Sequence, residues 1–202
     1  PYEYSLPLFI PLEDNEYGKR IHEYLDIVMD QLGMDGLYID EFPYSVTPYV
    51  YGAPWDGHSV DISPVTYRVV REKSSVPLLT QEFKVNLIER IYEKGGVVIA
   101  NFAPVTKRMS EFHFPRFVET AAITALVKSH LYSPVGLGDA TSQYNEEDVI
   151  EKLREHLEYG ALYYYYNINL SFDDNVLQNI YPFTPIEIHE GYLIGEERII
   201  TT

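Results

Sequence analysis

The sequence contains no cysteine among its 202 residues. Disulfides, thiolate nucleophiles and cysteine-based zinc or iron–sulfur sites are therefore excluded. Basic residues are scarce, since 15 Lys and Arg stand against 31 Asp and Glu, and the formal net charge is −16. A protein this acidic repels phosphate backbones, so we expect no nucleic-acid partner. No apolar run approaches the roughly 20 residues that cross a bilayer, so we expect no membrane partner.

The two ends of the chain also lack familiar signals. The first residues, Pro1 to Tyr4, have neither the basic nor the apolar region of a signal peptide. The last residues, Ile199 to Thr202, read as the middle of a strand. These ends predict a piece of a longer, multidomain protein, and they leave both an extracellular and a cytoplasmic location open.

The residues that are present alternate between strand and helix patterns. Hydrophobic residues make up 46% of the chain, which is ordinary for a folded domain with a core. Apolar runs and turn signals predict strands at 5–10, 36–39, 97–100, within 130–138 and at 161–166. Helical periodicity predicts helices at 15–32, at 80–94, from about 115 and at 146–159. Such alternation indicates an α/β fold with a parallel sheet covered by helices.

We predict a (β/α)8 (TIM)-barrel-like fold, because the glycine fingerprints of nucleotide-binding doubly wound sheets are absent. Five strands cannot close an eight-stranded barrel, so the chain would hold only its C-terminal strands and helices. A second chain or copy would then complete the barrel. Within this prediction, residues 1–184 form the partial barrel, with a long loop at 42–79, and residues 185–202 begin an antiparallel β region.

Polar side chains follow four of the predicted strands, which is the main indication of function. They are Asp40 and Glu41, Asn101, Asp139, and Tyr166 with Asn167. Barrel enzymes carry their active sites at the C-terminal ends of the strands, so these residues are expected to converge. Asp and Asn also favour turns, which is the alternative explanation for each residue taken singly.

The carboxylates among these residues suit glycoside hydrolysis, which uses a pair of Asp or Glu side chains. Adjacent strand residues point to opposite sides, so one of Asp40 and Glu41 would face the site. Asp139 and Asp56 are the candidates for the second carboxyl group. The same oxygen-rich set could hold Ca²⁺ or Mg²⁺, but we predict neither a metal nor another cofactor.

Aromatic residues are concentrated in the long loop at 42–79. The candidates for substrate binding there are Tyr44, Tyr51, Trp55 and His58, and Asn101, Tyr166 and Asn167 join them from the strand ends. Flat rings in a loop rich in Pro and Gly suit the apolar faces of sugars. The alternative for the tyrosines is a small core that packs the loop against the rest of the protein.

Five segments resemble glycoside hydrolases of the (β/α)8-barrel type. They are DGLYIDE (35–41), PWDG (54–57), VVIAN (97–101), GLGD (136–139) and GYLIG (191–195). The chain is most similar to the back half of such a barrel in large bacterial proteins, where a β-sandwich follows the barrel. The resemblance implies that Asp40 or Glu41 is a catalytic carboxylate acting on a carbohydrate substrate. It also implies that Asn101 positions the substrate or that carboxylate.

Two other functions fit the same residues. The chain could be a non-catalytic carbohydrate-binding barrel that uses Trp55 and nearby tyrosines without chemistry. It could also be an assembly subunit whose open sheet edge pairs with a partner chain, since unpaired edges favour association.

Overall fold

The computed structural model describes residues 9–40, 42, 45, 47–102, 104–112, 116–118, 136–138, 146–163 and 176–202. Residues 116–118, 136–138 and 177 are described by their backbone alone. The chain divides into two units. The first unit comprises residues 1–37, 44–98 and 105–109, and the second comprises residues 38–43, 99–104 and 110–202.

The first unit is built on two helices that the sequence predicts correctly. Helix α1 (Glu16–Asp26) continues as a π-helical turn at Ile27–Gln31. Asn15 caps α1, because its Oδ1 accepts a hydrogen bond of 2.8 Å from the N–H of Gly18. A short helix α2 (Val76–Leu79) leads into helix α3 (Gln81–Glu93).

The apolar side of α3 supplies most of the core of the first unit. Phe83, Leu87, Ile88 and Ile91 are buried and recur at the spacing of one helix face. Leu25 of α1 is buried as well. Ion pairs join the two helices beside this core, from Arg90 to Asp26 at 2.8 Å and from Lys94 to Asp30 at 2.6 Å.

Most of the long connection at 42–79 is folded into a small β structure, which we call the loop module and define as residues 47–75. Strand β2 (Tyr49–Val50) pairs antiparallel with β5 (Ser74–Ser75). Between them, β3 (Val60–Ile62) and β4 (Val69–Glu72) form a second antiparallel pair. The loop module is therefore a hairpin nested inside a wider hairpin.

The principal sheet has four strands. They are β1 (Gly36–Ile39), β6 (Val97–Asn101), β7 (Arg116–Val118) and β8 (Gly136–Gly138), hydrogen-bonded in that order. Strands β6 and β7 are parallel, as are β7 and β8. The order of the strands follows the chain, whereas a doubly wound sheet reverses its order part-way. None of the sheets in the described residues closes into a barrel, so the barrel stays a prediction.

The prediction of a helix from about 115 is wrong at its first residues, because Arg116–Val118 form β7. The apolar spacing after Pro115 matches a helical period, but Phe117 and Val118 also favour strands. Parallel pairing with β6 and β8 on either side satisfies their backbone groups and decides the outcome. A short helix α4 (Lys107–Ser110) precedes β7, and the remainder of the predicted helix lies outside the described residues.

Two predicted strands are only partly covered by the description. Residues 9–10 and 161–163 are not in strands, and the remaining positions of the predictions at 5–10 and 161–166 lie outside the described residues.

The second unit contains helix α5 (Glu146–Glu158), as predicted, and a short helix α6 (Leu177–Ile180). Three antiparallel strands follow, β9 (Pro185–His189), β10 (Tyr192–Gly195) and β11 (Ile199–Thr201), with β10 in the centre. These strands and α5 share one buried core. The members of this core are Val149, Leu153, Leu157, Leu162, Tyr163, Ile180 and Leu193. The β region at 185–202 is thus packed on α5 within the same unit.

Candidate functional site

Two of the predicted site residues meet where β1 and β6 end. The Nδ2 atom of Asn101 donates a hydrogen bond of 2.7 Å to Oδ1 of Asp40. The hydroxyl of Tyr38 donates to the same oxygen at 3.1 Å. Asn101 is fully buried, whereas Asp40 is exposed. We call Asp40 and Asn101 the strand-end pair, and both belong to the second unit.

The strand-end pair is short of hydrogen-bonding partners. Because a carboxylate oxygen accepts hydrogen bonds and donates none, the Asn101 amide directs its Nδ2 to Asp40 and its Oδ1 elsewhere. That buried Oδ1 accepts no hydrogen bond from any described residue. No described residue donates to Oδ2 of Asp40 either. Oδ2 of the exposed Asp40 is therefore left for a ligand, whereas Oδ1 of Asn101 is buried without a donor among the described residues.

The backbone next to the strand-end pair is strained. Phe102, which directly follows Asn101, has a φ of +71°. A bulky residue rarely adopts this left-handed conformation, and such residues are concentrated at functional sites. The strain therefore fits a functional position for the neighbouring Asn101.

Five predicted site residues lie outside the described residues. They are Glu41, Tyr44, Asp139, Tyr166 and Asn167. The prediction that they belong to the site is neither supported nor opposed by the structure.

Asp56 has a different environment, because its carboxylate is surrounded by donors from its own loop. Oδ1 accepts from the N–H groups of His58 (2.8 Å) and Ser59 (2.7 Å). Oδ2 accepts from the Ser59 hydroxyl and from the N–H of Ser75, both at 2.6 Å. Desolvation raises the pKa of the Asp56 carboxyl, but these hydrogen bonds outweigh it and hold the pKa well below its usual range. This is the environment of a structural anchor, and it is opposite to the raised pKa that a general acid needs.

Tyr49 and Tyr51 of the loop module are about half exposed, and a cation lies over each ring. The Arg71 guanidinium lies 3.8 Å from the ring centroid of Tyr51, and Lys73 lies 4.2 Å from that of Tyr49. Both cations also pair with Asp61. These contacts hold the two tyrosine rings within the loop module, and the assignment of Tyr51 to substrate binding stays a prediction.

Trp55 and His58 are the remaining predicted residues of the loop module. The indole Nε1 of Trp55 donates to the carbonyl of Ser59 at 2.8 Å, while 44% of the residue is exposed. His58 is exposed. These residues, with Tyr51 and Asp56, belong to the first unit and the strand-end pair to the second, so each group is a separate candidate.

Sequence reasoning missed Tyr38, whose hydroxyl helps to hold Asp40. The sequence could have indicated this contact, because Tyr38 and Asp40 are two positions apart and such residues of a strand point to the same side. It also missed His156, which is fully buried against Tyr163 with a ring-centroid distance of 4.7 Å. Nδ1 of His156 lies 2.7 Å from the Lys152 carbonyl, and Nε2 has no partner among the described residues. Burial lowers the pKa of His156 to about 4.

In the described residues, no group of three or more His, Asp or Glu side chains could hold a metal ion. No helix in that part of the chain has the length and apolar character needed to cross a membrane.

Comparisons with protein-family models, with curated proteins and with solved structures found no match to this chain. The resemblance to barrel glycosidases therefore rests on the five sequence segments alone.

Proposed function

We propose that the chain carries part of the active site of a glycoside hydrolase that cleaves O-glycosidic bonds with two carboxyl groups, one of which is Asp40. The observation that supports this most is the hydrogen bond from the buried Asn101 to Asp40 at the ends of two neighbouring strands. A buried amide that orients a carboxylate restricts its rotation, and a catalytic group needs a fixed position.

The hydrogen bonds of Asp40 distinguish its two oxygens. Oδ1 is held by Asn101 and Tyr38, so Oδ2 is the oxygen left for the substrate or for a water molecule. This arrangement suits the nucleophile or the general base of the two-carboxylate mechanism. Glu41 and Asp139 remain the candidates for the acid, on the basis of the sequence.

A glycan screen tests the proposal. The purified chain is incubated with a panel of oligosaccharides and polysaccharides, and released reducing ends are counted for the native protein, Asp40→Asn and Glu41→Gln. Asp35→Asn is the matched control, because Asp35 is exposed and has no side-chain hydrogen bond among the described residues. We expect loss of a catalytic carboxyl to lower kcat by about 100-fold or more. Full activity in both Asp40→Asn and Glu41→Gln would refute the assignment.

A second candidate is carbohydrate binding without hydrolysis by the loop module. The observation in its favour is Trp55, whose ring is fixed by the hydrogen bond to Ser59 and is nearly half exposed. Glycan affinity that falls in Trp55→Ala but not in Asp40→Asn, with no products from the native protein, would favour this function.

A further inference from the structure

Two cations at the end of the β3–β4 hairpin share a single carboxylate. Oδ2 of Asp61 accepts hydrogen bonds from Nε (3.0 Å) and Nη2 (2.6 Å) of Arg71. Oδ1 of Asp61 lies 2.9 Å from Nζ of Lys73. We call Arg71 and Lys73 the hairpin cations, and neither has a second acidic partner among the described residues. Their contacts with Asp61 therefore leave one positive charge uncompensated.

The hairpin cations are also fixed in position. The Arg71 guanidinium lies over the ring of Tyr51, and the Lys73 ammonium lies over that of Tyr49. The hydrogen bond to Asp61 raises the pKa of Lys73, so the ammonium stays charged. Nη1 of Arg71 has no acceptor among the described residues, and 59% of that side chain is exposed. Charged donors held in place before binding lose little entropy when a ligand arrives.

Three half-exposed aromatic rings border the hairpin cations. Tyr49, Tyr51 and Trp55 are 45%, 53% and 44% exposed. Trp55 belongs to the same surface, because its Nε1 and the N–H of Lys73 both donate to the Ser59 carbonyl, at 2.8 Å and 3.2 Å. Aromatic rings suit the apolar faces of sugars. The surface thus combines sites for sugar rings with an uncompensated positive charge.

We propose that this surface binds an acidic glycan, with a carboxylate of the sugar on Nη1 of Arg71 and Nζ of Lys73. The proposal rests on the second candidate function, carbohydrate binding by the loop module, and names its ligand class. A ligand carboxylate would compensate the remaining positive charge, and charge-assisted hydrogen bonds of this kind are strong.

The distribution of charge along the chain favours this place for an acidic ligand. The chain carries −16, but the loop module holds equal numbers of acidic and basic residues. The rest of the chain therefore carries the whole negative charge and repels an anion, whereas the loop module does not.

Calorimetric titration of the full chain tests the proposal with oligomers of galacturonic acid and of glucuronic acid, each as the acid and as its methyl ester. The methyl ester keeps the sugar rings but carries no charge, so it is the matched control ligand. We expect one of the acids to bind about tenfold more tightly than its ester. Arg71→Gln and Lys73→Gln should each weaken binding of the acid by about tenfold, because each removes one hairpin cation. Arg154→Gln, an exposed arginine on α5, is the control and should change nothing.

Trp55→Ala separates recognition of a sugar from attraction of charge. Removal of the indole should weaken binding of the acid and of the ester alike, because both present the same sugar rings to it. Binding of the acid that stays undiminished in Trp55→Ala would overturn the assignment of a glycan to this surface.

The remaining results each decide the proposal. Equal affinity for the acid and the ester would overturn it but leave carbohydrate binding by the loop module in place. Binding of the acid that neither Arg71→Gln nor Lys73→Gln weakens would also overturn it, because the anion would then bind elsewhere. Binding of no ligand at all would overturn both the proposal and the second candidate function. The hydrolysis proposed for Asp40 is decided separately, by the count of released reducing ends.

Discussion

Asp56 and Asp40 are both aspartates that the sequence singles out, but the structure surrounds them differently. Asp56 accepts four hydrogen bonds from groups in its own loop module. Asp40 accepts two, and both go to one oxygen. Both oxygens of Asp56 are bonded within the loop module. Oδ2 of Asp40 accepts no hydrogen bond from any described residue.

The difference shows how a structural carboxylate can be distinguished from a functional one. Backbone N–H groups on both oxygens indicate that the chain is wrapped around the carboxylate and depends on it. A carboxylate that is anchored by side chains through a single oxygen can present the other to a ligand. We therefore do not assign Asp56 to the proposed mechanism, although the sequence made it a candidate for the second carboxyl group.

The sharpest way to break this comparison is to change each aspartate to asparagine. Asp56→Asn must turn an amide N–H₂ toward a backbone donor, so we expect the free energy of unfolding to fall by about 3 kcal/mol. Asp40→Asn should leave stability within about 0.5 kcal/mol of the native value while removing activity. Urea denaturation and the glycan assay, both performed on each variant, give the two readouts.

Asp35→Asn again serves as the matched control. The comparison fails if Asp56→Asn is as stable as this control, or if Asp40→Asn is the variant that unfolds.

Elements with a strong local pattern could be predicted from the sequence. The cap at Asn15, the stripe on α3 and the strand at 97–101 follow from residues close together in the chain. Strand β7 could not be predicted in this way, because its conformation depends on pairing with β6 and β8. Local spacing there was compatible with both a helix and a strand.

The candidate site shows the same division. The contact of Asp40 with Asn101 joins residues 61 positions apart. It could still be predicted from the sequence, because parallel strands end at a common edge of the sheet. The hydrogen bonds of Asp56 could not be predicted from the sequence, because one of them comes from Ser75, 19 positions later in the chain. Nothing in the segment around Asp56 indicates which backbone groups will surround it.

His156 extends the comparison of the two aspartates to a fully buried group. Its Nε2 atom has no hydrogen-bond partner among the described residues, as is the case for Oδ2 of Asp40. The pKa of His156 is lowered to about 4 by burial, so between about pH 6.5 and pH 4 the unfolded chain binds a proton that the folded chain does not. Stability is therefore fully present above this range and is lost as the pH falls. We expect a loss of about 2 kcal/mol between pH 7 and pH 5, which His156→Gln should abolish.

The measurement is urea denaturation at the two pH values for the native chain, for His156→Gln and for His58→Gln. The exposed His58 is the control, and its variant should keep the native pH dependence. An equal loss in His156→Gln would show that the buried imidazole is not its source. The Asp56 carboxylate does not interfere, because its lowered pKa makes it lose stability only below about pH 4.

The hydroxyl of Tyr38 gives a smaller test of the anchoring of Asp40. Tyr38→Phe removes one of the two donors to Oδ1 but keeps the ring, so kcat should fall about fivefold, as expected for one hydrogen bond. KM should stay constant if the hydroxyl only orients the carboxylate. Tyr24→Phe, an exposed tyrosine on α1, is the control. A change in KM alone would instead mean that Tyr38 contacts the substrate.

Substitution of Tyr67 should have the smallest effect, and it tests whether a left-handed backbone conformation away from the strand-end pair is strained. Its φ is +56°, and the residue is 82% exposed at the tip of the β3–β4 hairpin. Glycine adopts this conformation without the steric penalty of a Cβ atom, so Tyr67→Gly should raise the free energy of unfolding by about 1 kcal/mol. Tyr67→Ala keeps the Cβ atom and should not. A thermal melt of both variants decides the matter, and equal melting temperatures would show that the left-handed turn at Tyr67 carries no strain, which would also weaken the argument drawn from Phe102.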